Sequence, residues 1–485
     1  MAYMDLREFI DGLESHGELI RVKKEVDWNL EAGAIVRRTH EEGLPAPYFE
    51  KIKGYPDGYG LVGGILGGSK VNGKWMPFRR IAIAMGMDPD SPTQEIIEEY
   101  IRRKNTPIKP IVVSTGPCKE NIRLGKEVNL FEFPAPMIHD GDGGRFLATW
   151  HVVVTKDPDT EWVNWGMYRG MIQTRTKLAW LALPMQHGPA MYYQKYRDRG
   201  KSMPIAFALG TDIYSTFAAC SYLPAGINES DVAGGLAGQP VPLVKCETSD
   251  LYVPANSEIV IEAEIRPGEL IEEGPFGEFT GYRTSERAPR TFVRVNCITY
   301  RNNPILPMSC MGMPMDDSAT TGSISISAEL TELLRDQMRH PIRGVYNAPE
   351  GSNALLVVST KVPHANFAHK IASAIWSAKA GIFAYWIMVV EDDVDPFDLN
   401  QVIHAMTFKC HPVRGIRQVE HYPGMPLDPF LSLYERHYGL GAAVLFDCTW
   451  PKDWAYTPIE SSFHGIYPQE LQQKVLANWK DYGYK

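Results

Sequence analysis

The stretch Ser257-Glu-Ile-Val-Ile-Glu-Ala-Glu-Ile-Arg266 decides how the middle of this chain is read. Ile259, Ile261, Ala263 and Ile265 fall on every second position, so an extended backbone places all four on one face. Short β-rich runs of the same kind recur on either side, at Ile111–Ser114, Thr149–Thr155, Met203–Leu209 and Thr291–Tyr300, with turn residues between them. Residues 111–310 therefore predict a predominantly β domain, a split barrel, with short helices inserted.

Toward the N-terminus the period changes from 2 to 3.6. Asp5-x-x-Glu8 reads as a capping box ahead of Leu6, Phe9, Ile10 and Leu13, and Gly17 is placed to end that helix. A strand follows at Leu19–Val22. Asn29 is expected to cap a second helix ending near Gly43. The run Gly60–Gly68, GLVGGILGG, has neither the G-x-G-x-x-G nor the P-loop spacing, so it is read as a strand with glycine-rich edges. Ser91-Pro-Thr-Gln94 opens another helix with proline at its first position, and the prolines of Asn105–Pro110 mark a linker. Residues 1–110 thus form an N-terminal α/β unit.

Toward the C-terminus strands and helices alternate. A helix begins around Ser327. Strand Ala354–Ser359, helix Ala365–Lys379, strand Ala384–Val390 and a helix capped by Asp398-Leu-Asn-Gln401 follow. This alternation predicts a C-terminal α/β domain over residues 325–467 with a mostly parallel sheet. The tail, 468–485, is a polar helix suited to docking on a partner subunit. The fold class is α/β, in the α+β multi-domain sense.

The composition is that of a globular protein, 44% hydrophobic and 22% charged over 485 residues. A net charge of −9 argues against electrostatic binding of nucleic acid or an anionic membrane. The seven cysteines come no closer than 13 residues apart (Cys297 to Cys310), which excludes a CxxC metal site and argues against a disulfide framework. No apolar run approaches the ~20 residues of a membrane span, and MAYMDLREF lacks a signal-peptide core. A reduced, cytoplasmic location is expected.

Chemistry gathers at a few motifs. In Glu273-Gly-Pro-Phe-Gly-Glu278 two carboxylates flank a linker that breaks a helix and suits a tight turn, so both can reach one place. Paired carboxylates push their pKa values apart, and one becomes a proton donor near neutral pH. Asn164-Trp-Gly-Met-Tyr-Arg169 offers an amide oxygen and a planar cation. In a regular strand positions 164 and 169 face opposite sides, so they serve different parts of a ligand or a bulge near Gly166 or Gly170 re-aims one of them. Gln186-His187 and Asn228-Glu229 complete a mixed Asn/His/Glu set that suits Mn²⁺, or Mg²⁺ less well. Other clusters fail on spacing. His364 and His369 are five apart, the acidic run Glu391–Asp398 lacks the periodicity of a Ca²⁺ loop, and no Gly-x-Ser-x-Gly elbow is present.

Taken in order and at these separations, these motifs resemble the UbiD-like decarboxylases, which use prenylated FMN. The segment Val244–Ile259 and Tyr300–Met308 carry the likeness too, and it covers nearly the whole chain. The branch most similar acts on ferulate-type, aryl and heteroaryl acids. The resemblance implies that Asn164, His187 and Glu229 bind a divalent metal, usually Mn²⁺, holding the cofactor phosphate with K⁺ nearby. Trp165, Gly166, Met167, Arg169, Gln186 and Ser221 would contact the flavin. Around Ala219-Cys220-Ser221 the side chains depart from the family pattern, which weakens the expectation of K⁺. The family's catalytic Glu-Arg-Glu network matches Glu273, Arg169 and Glu278. Glu278 is then the proton donor, Arg169 holds the acid, and Glu273 sets positions and pKa values. Candidate substrates are indole-, pyrrole- or hydroxybenzoate-type acids, indole-3-carboxylate among them. The wall facing the ring is sought in Gln186, the Met311–Thr321 loop and the His404–His411 region. A flavin prenyltransferase as cofactor supplier, CO₂ as co-product or co-substrate, and a homodimer or trimer of dimers are also implied. The rivals are an ordinary FMN oxidoreductase on a split barrel and a non-catalytic flavin carrier.

Overall fold

The computed structural model describes residues 2–484. Its centre is a ten-stranded antiparallel sheet. The main path runs Val163–Gly166, His151–Lys156, Met203–Leu209, Ile259–Ile265, Ala288–Tyr300, Lys177–Trp180, Gly170–Thr174, Phe146–Ala148, and Asn121–Leu124 and Leu270–Glu273 also pair with the long strand Ala288–Tyr300. Ile259, Ile261, Ala263 and Ile265 are buried in one apolar cluster, as their alternation requires.

The connections show how this sheet is shaped. Val163–Gly166 lies at one end of the path and Gly170–Thr174 near the other, yet only Met167–Arg169 joins them. Six strand spacings in a flat sheet would be about 29 Å, whereas four residues of extended chain reach at most about 14 Å. The sheet is therefore rolled until its ends approach, without a hydrogen-bonded closure between them. The expected split barrel has its seam here, and Asn164–Arg169 crosses it.

A second sheet takes Leu19–Val22, Ala46–Phe49 and Gly60–Gly63 from the N-terminal unit and Ile305–Met308 from the far end of the β region. The C-terminal sheet orders Ile342–Asn347, Leu355–Thr360, Trp386–Glu391, Leu440–Cys448 and Ile416–Pro423. Its three central strands are parallel and both edges antiparallel. The Ile342–Asn347 edge cannot be parallel, because residues 348–354 are too few for a crossover.

Several local expectations shift. The first helix, Leu6–Ser15, has Asp5 accepting from Glu8 N–H, but the Glu8 carboxylate turns to Met4 N–H instead of closing the box. Asn29 does not cap the second helix, Glu31–Glu42. Leu30 holds that position at φ 69°, and Asn29 bridges to Met137. Pro92 precedes the helix Thr93–Lys104 rather than lying inside it. The helix expected from Ser327 starts ten residues earlier and spans Asp317–Thr331, capped by Asp316. Its DSATTGSISIS segment carries too few apolar residues to show a periodicity. It is buried nonetheless, because its hydroxyls find backbone partners. Thr320 donates to Leu66 O (2.7 Å), Ser327 accepts from Asn347 N–H (2.9 Å) and Ser325 from Tyr222 N–H (3.1 Å). This helix runs through the junction of all three regions. No helix among the described residues is long and apolar enough to cross a membrane.

Candidate active site

At the seam the strand Val163–Gly166 ends and Gly170–Thr174 begins, with a register shift at Gly170/Met171. Met167–Arg169 are irregular, which lets Asn164 and Arg169 serve two adjoining sites. A cavity of about 250 Å³ opens beside them. Asn164, Trp165, Gly166 and Met167 line it from the seam, Gln186 and His187 from the start of the helix His187–Met191, and Ser221 and Glu229 from the helix ends opposite.

Asn164, His187 and Glu229 are brought together here. Asn164 Nδ2 donates to Glu229 Oε1 (2.9 Å), Trp165 N–H donates to Glu229 Oε2 (2.8 Å), and Tyr168 OH donates to Asn164 Oδ1 (3.3 Å). Burial pushes the Glu229 carboxyl up to about 7 despite these donors. Burial, with help from Lys379, lowers His187 to about 4, so its imidazole is neutral and free to ligate. The Lys379 ammonium stands 3.0 Å from His187 Nε2 and 3.3 Å from Nδ1, and donates to Leu223 O at 2.5 Å. A place that attracts an ammonium, between a buried carboxyl, an imidazole and an amide, fits a hard divalent cation with phosphate oxygens completing its shell. Lys379 had no signal in the sequence, being the last residue of an expected helix. Ser221 lines the cavity, but its hydroxyl pairs with Tyr100 OH (2.6 Å) and donates to Phe217 O (2.9 Å).

The second cluster lies alongside. Arg169 Nε and Nη2 grip Glu273 at 2.8 and 3.1 Å, and Nη1 donates to Glu278. All three side chains are buried, and the guanidinium lies over the Phe276 ring, 5.0 Å from its centre. Burial raises the Glu278 carboxyl above its ordinary range. Arg169 pulls it back and the charges of Glu273 and Asp142 push it further up. The two carboxylates outweigh burial at Arg169 and hold its guanidinium firmly charged. The turn between the carboxylates closes through Gly274, at φ 78°, and Gly143 N–H donates to Pro275 O at 2.7 Å. A Cβ on Gly143 would sit 1.9 Å from Gly274 O, so this approach admits only glycine. Arg169, Glu273 and Glu278 do not line the cavity themselves, whereas their neighbours Tyr168 and Phe279 do. A guanidinium anchored by two hydrogen bonds to one carboxylate can hold an acid, and the raised carboxyl beside it is a proton source.

The opposite wall differs from expectation. Met311, Ser318 and Thr321 line the cavity, but Met313 points outward and Met315 packs on Gly68. His404 and His411 are elsewhere. His404 packs on Phe408, and His411 Nδ1 accepts from Val413 and Arg414 N–H at 3.1 Å each. The C-terminal domain instead contributes Asn353, Lys379, Ile382, Phe383 and Met425. These side chains come from three separate segments, so no local pattern announces them.

Three family models together match most of the chain. They are the 3-octaprenyl-4-hydroxybenzoate carboxy-lyase N-terminal domain at residues 10–100, the Rift-related domain at 110–314 and the C-terminal domain at 319–448. The chain belongs to the UbiD family of carboxy-lyases. It is 32% identical to the pyrrole-2-carboxylic acid decarboxylase of Pseudomonas aeruginosa, over 99% of this chain and 98% of that one. It is also 32% identical to ferulic acid decarboxylase 1 of Saccharomyces cerevisiae, over 99% of both. Among solved structures, the vanillic acid decarboxylase of Sedimentibacter hydroxybenzoicus superposes over all of both chains at 32% identity. The TM-score is 0.89 for its closed form, against 0.82 for its open form over 99% of this chain. An evolved dimeric form of the UbiD-class enzyme HmfF from Pelotomaculum thermopropionicum, in complex with prFMN, matches at 27% identity and TM-score 0.76 over 94% of this chain and 97% of that one.

Proposed function

We propose that this chain catalyses the reversible non-oxidative decarboxylation of an aromatic, heteroaromatic or α,β-unsaturated carboxylic acid with prenylated FMN as cofactor. The observation that carries the reading is the buried Glu273–Arg169–Glu278 cluster beside a cavity that gathers Asn164, His187 and Glu229. Losing CO₂ from an aryl or vinyl carbon leaves electrons with no adjacent sink, and a bound prenylated flavin supplies that sink. Asn164, His187 and Glu229 would hold Mn²⁺ or Mg²⁺ against the flavin phosphate, with Lys379 adding charge and K⁺ close to the Ala218–Ser221 turn. Gln186, Trp165, Gly166 and Met167 would contact the ring system. Arg169 binds the substrate carboxylate, positioned by Glu273. Glu278, its carboxyl raised by burial, turns from Arg169 and gives a proton to the carbon that CO₂ leaves. The apolar wall of Phe279, Met311, Phe383 and Met425 suits a flat ring and excludes water.

Residues 1–110, 111–310, 325–467 and 468–485 serve as N-terminal unit, flavin domain, substrate wall with oligomerisation surface, and tail of a homodimer or trimer of dimers in the cytoplasm. The test is coexpression with a flavin prenyltransferase, then a screen of pyrrole-, indole- (indole-3-carboxylate included), hydroxybenzoate- and acrylate-type acids for CO₂ release. The mass and spectrum of the bound flavin separate this reading from its rivals. Unmodified FMN with redox turnover would favour an oxidoreductase, and a prenylated flavin with no CO₂ release or H/D exchange would favour a carrier.

A further inference from the structure

Behind the proton-donor turn lies a pair of ionisable residues that the reaction outlined above does not use. The Asp142 carboxylate is 5% exposed. Its Oδ1 accepts from Gly277 N–H at 3.0 Å, directly before Glu278. Its Oδ2 accepts from His139 N–H at 3.0 Å and meets His139 Nδ1 at 3.0 Å. On the far side of the ring, His139 Nε2 donates to Met311 O at 2.8 Å, and Cys310 Sγ lies 3.6 Å away. The ring also stands edge-on to Phe276, with centroids 5.6 Å apart. A Cβ on Gly277 would fall 2.5 Å from His139 Nδ1, so turn and ring are built against each other. Asp142 thus grips the backbone of the turn that carries Glu278, and His139 links that grip to Met311, a wall residue of the cavity.

We propose that His139 and Asp142 are positioning residues for Glu278, a pair that pins the Gly274–Glu278 turn and ties it to the Met311 wall. The proposal rests on the decarboxylase reading for its kinetic consequences and on geometry alone for the rest. Burial works against the charge on His139, but its hydrogen bonds to Asp142 and Cys310 carry it up to about 10, so the ring is cationic at neutral pH. The charged groups facing Glu278 are Arg169, Glu273 and Asp142, with His139 behind Asp142. Arg283 is turned to the backbone and donates to Asp140 O at 2.8 Å. Removing Asp142 takes away a negative charge and lowers the Glu278 pKa. Removing His139 leaves Asp142 uncompensated and raises it.

The test compares Asp142→Asn and His139→Gln in the full-length chain, with thermal unfolding to establish that both fold. The Glu278 carboxyl band is followed by infrared difference titration and assigned with Glu278→Gln. The expected result is opposite displacement of the midpoint, downward in Asp142→Asn and upward in His139→Gln. In flavin-loaded protein kcat should fall about 100-fold in each with KM changed less than about threefold, the cost of a donor displaced by about 1 Å. Folded variants whose midpoints stay in place or move together, with kcat unchanged, would overturn the proposal. If the parent protein releases no CO₂ while the two midpoints move apart, the pair stands and the decarboxylase reading fails.

Discussion

Glu273 and Glu278 share one guanidinium but meet different surroundings. Glu273 is held by two hydrogen bonds from Arg169, and Glu278 by one. That asymmetry supports the proposed division, in which Glu273 anchors Arg169 and Glu278 transfers the proton. Glu278→Gln keeps the shape and removes the exchangeable proton, so CO₂ release by the reconstituted protein should drop at least about 100-fold with melting temperature little changed. Full turnover in that variant would refute the assignment. Phe276 is fully buried, packs on Phe146 at 4.4 Å and lies beneath the guanidinium. Truncating it to alanine leaves a cavity and should cost about 3–5 kcal/mol in denaturant unfolding. The sequence placed both carboxylates and the arginine in one cluster through the family resemblance, whereas their residue types alone favoured a solvated turn. Nothing local marked His139 or Asp142 as part of the site, because the groups that tie them to it, Gly277 N–H and Met311 O, are backbone groups more than a hundred residues away.

At the scale of elements, the Gly274–Glu278 turn is held by a close backbone approach and the helix Asp317–Thr331 buries a titratable group at its start. In Gly143→Ala the new methyl meets Gly274 O at 1.9 Å, so the two backbones must part. A loss of about 1–3 kcal/mol together with lost turnover is expected, and unchanged stability would show that the turn can move freely. Asp317, the first residue of the buried helix, accepts from Leu66 N–H at 2.7 Å. It faces His40 at 3.6 Å, with Asp316 and Arg80 as the other charges acting on it. Burial drives Asp317 from 3.8 to about 7, while burial drives His40 down and keeps it neutral. The folded chain therefore binds a proton here that the unfolded chain releases between those two pH values, so stability falls as pH rises through that window. Asp317→Asn keeps the acceptor and removes this slope. The stability lost between pH 5 and pH 8, read by chemical unfolding, should shrink by up to about 3 kcal/mol. An identical pH slope in both proteins would contradict the buried titration. The sequence missed the start of this helix because hydroxyls satisfied by other elements look like loop residues until those elements are in place.

At the scale of the whole molecule, the cavity exists only where the β region meets the helix Asp317–Thr331 and the C-terminal domain. Lys379 reaches from the C-terminal domain to His187 and Leu223 O, and Arg436 donates to Thr284 O at 2.7 Å across the same junction. The closer likeness to the closed form of the Sedimentibacter enzyme agrees with such contacts. Chelation of divalent metal from flavin-loaded protein should release flavin on gel filtration, and Mn²⁺ should restore retention. Flavin that stays bound after chelation would place the phosphate on Lys379 and backbone alone.

The amino-acid sequence by itself determined the classes of element and their order, because the periods of 2 and 3.6 are written in neighbouring residues, as at Ser257–Arg266. Through their spacing, it also carried the motifs that relate this chain to the UbiD family. Only the tertiary structure decided that the β sheet rolls until Asn164–Arg169 crosses its seam, that Asn353, Phe383 and Met425 rather than His404 or His411 form the far wall, and that Lys379 stands at the expected metal position. Each of these depends on contacts between residues distant in the chain, where the energy comes from excluding water and matching charge across elements and leaves no local periodicity to read.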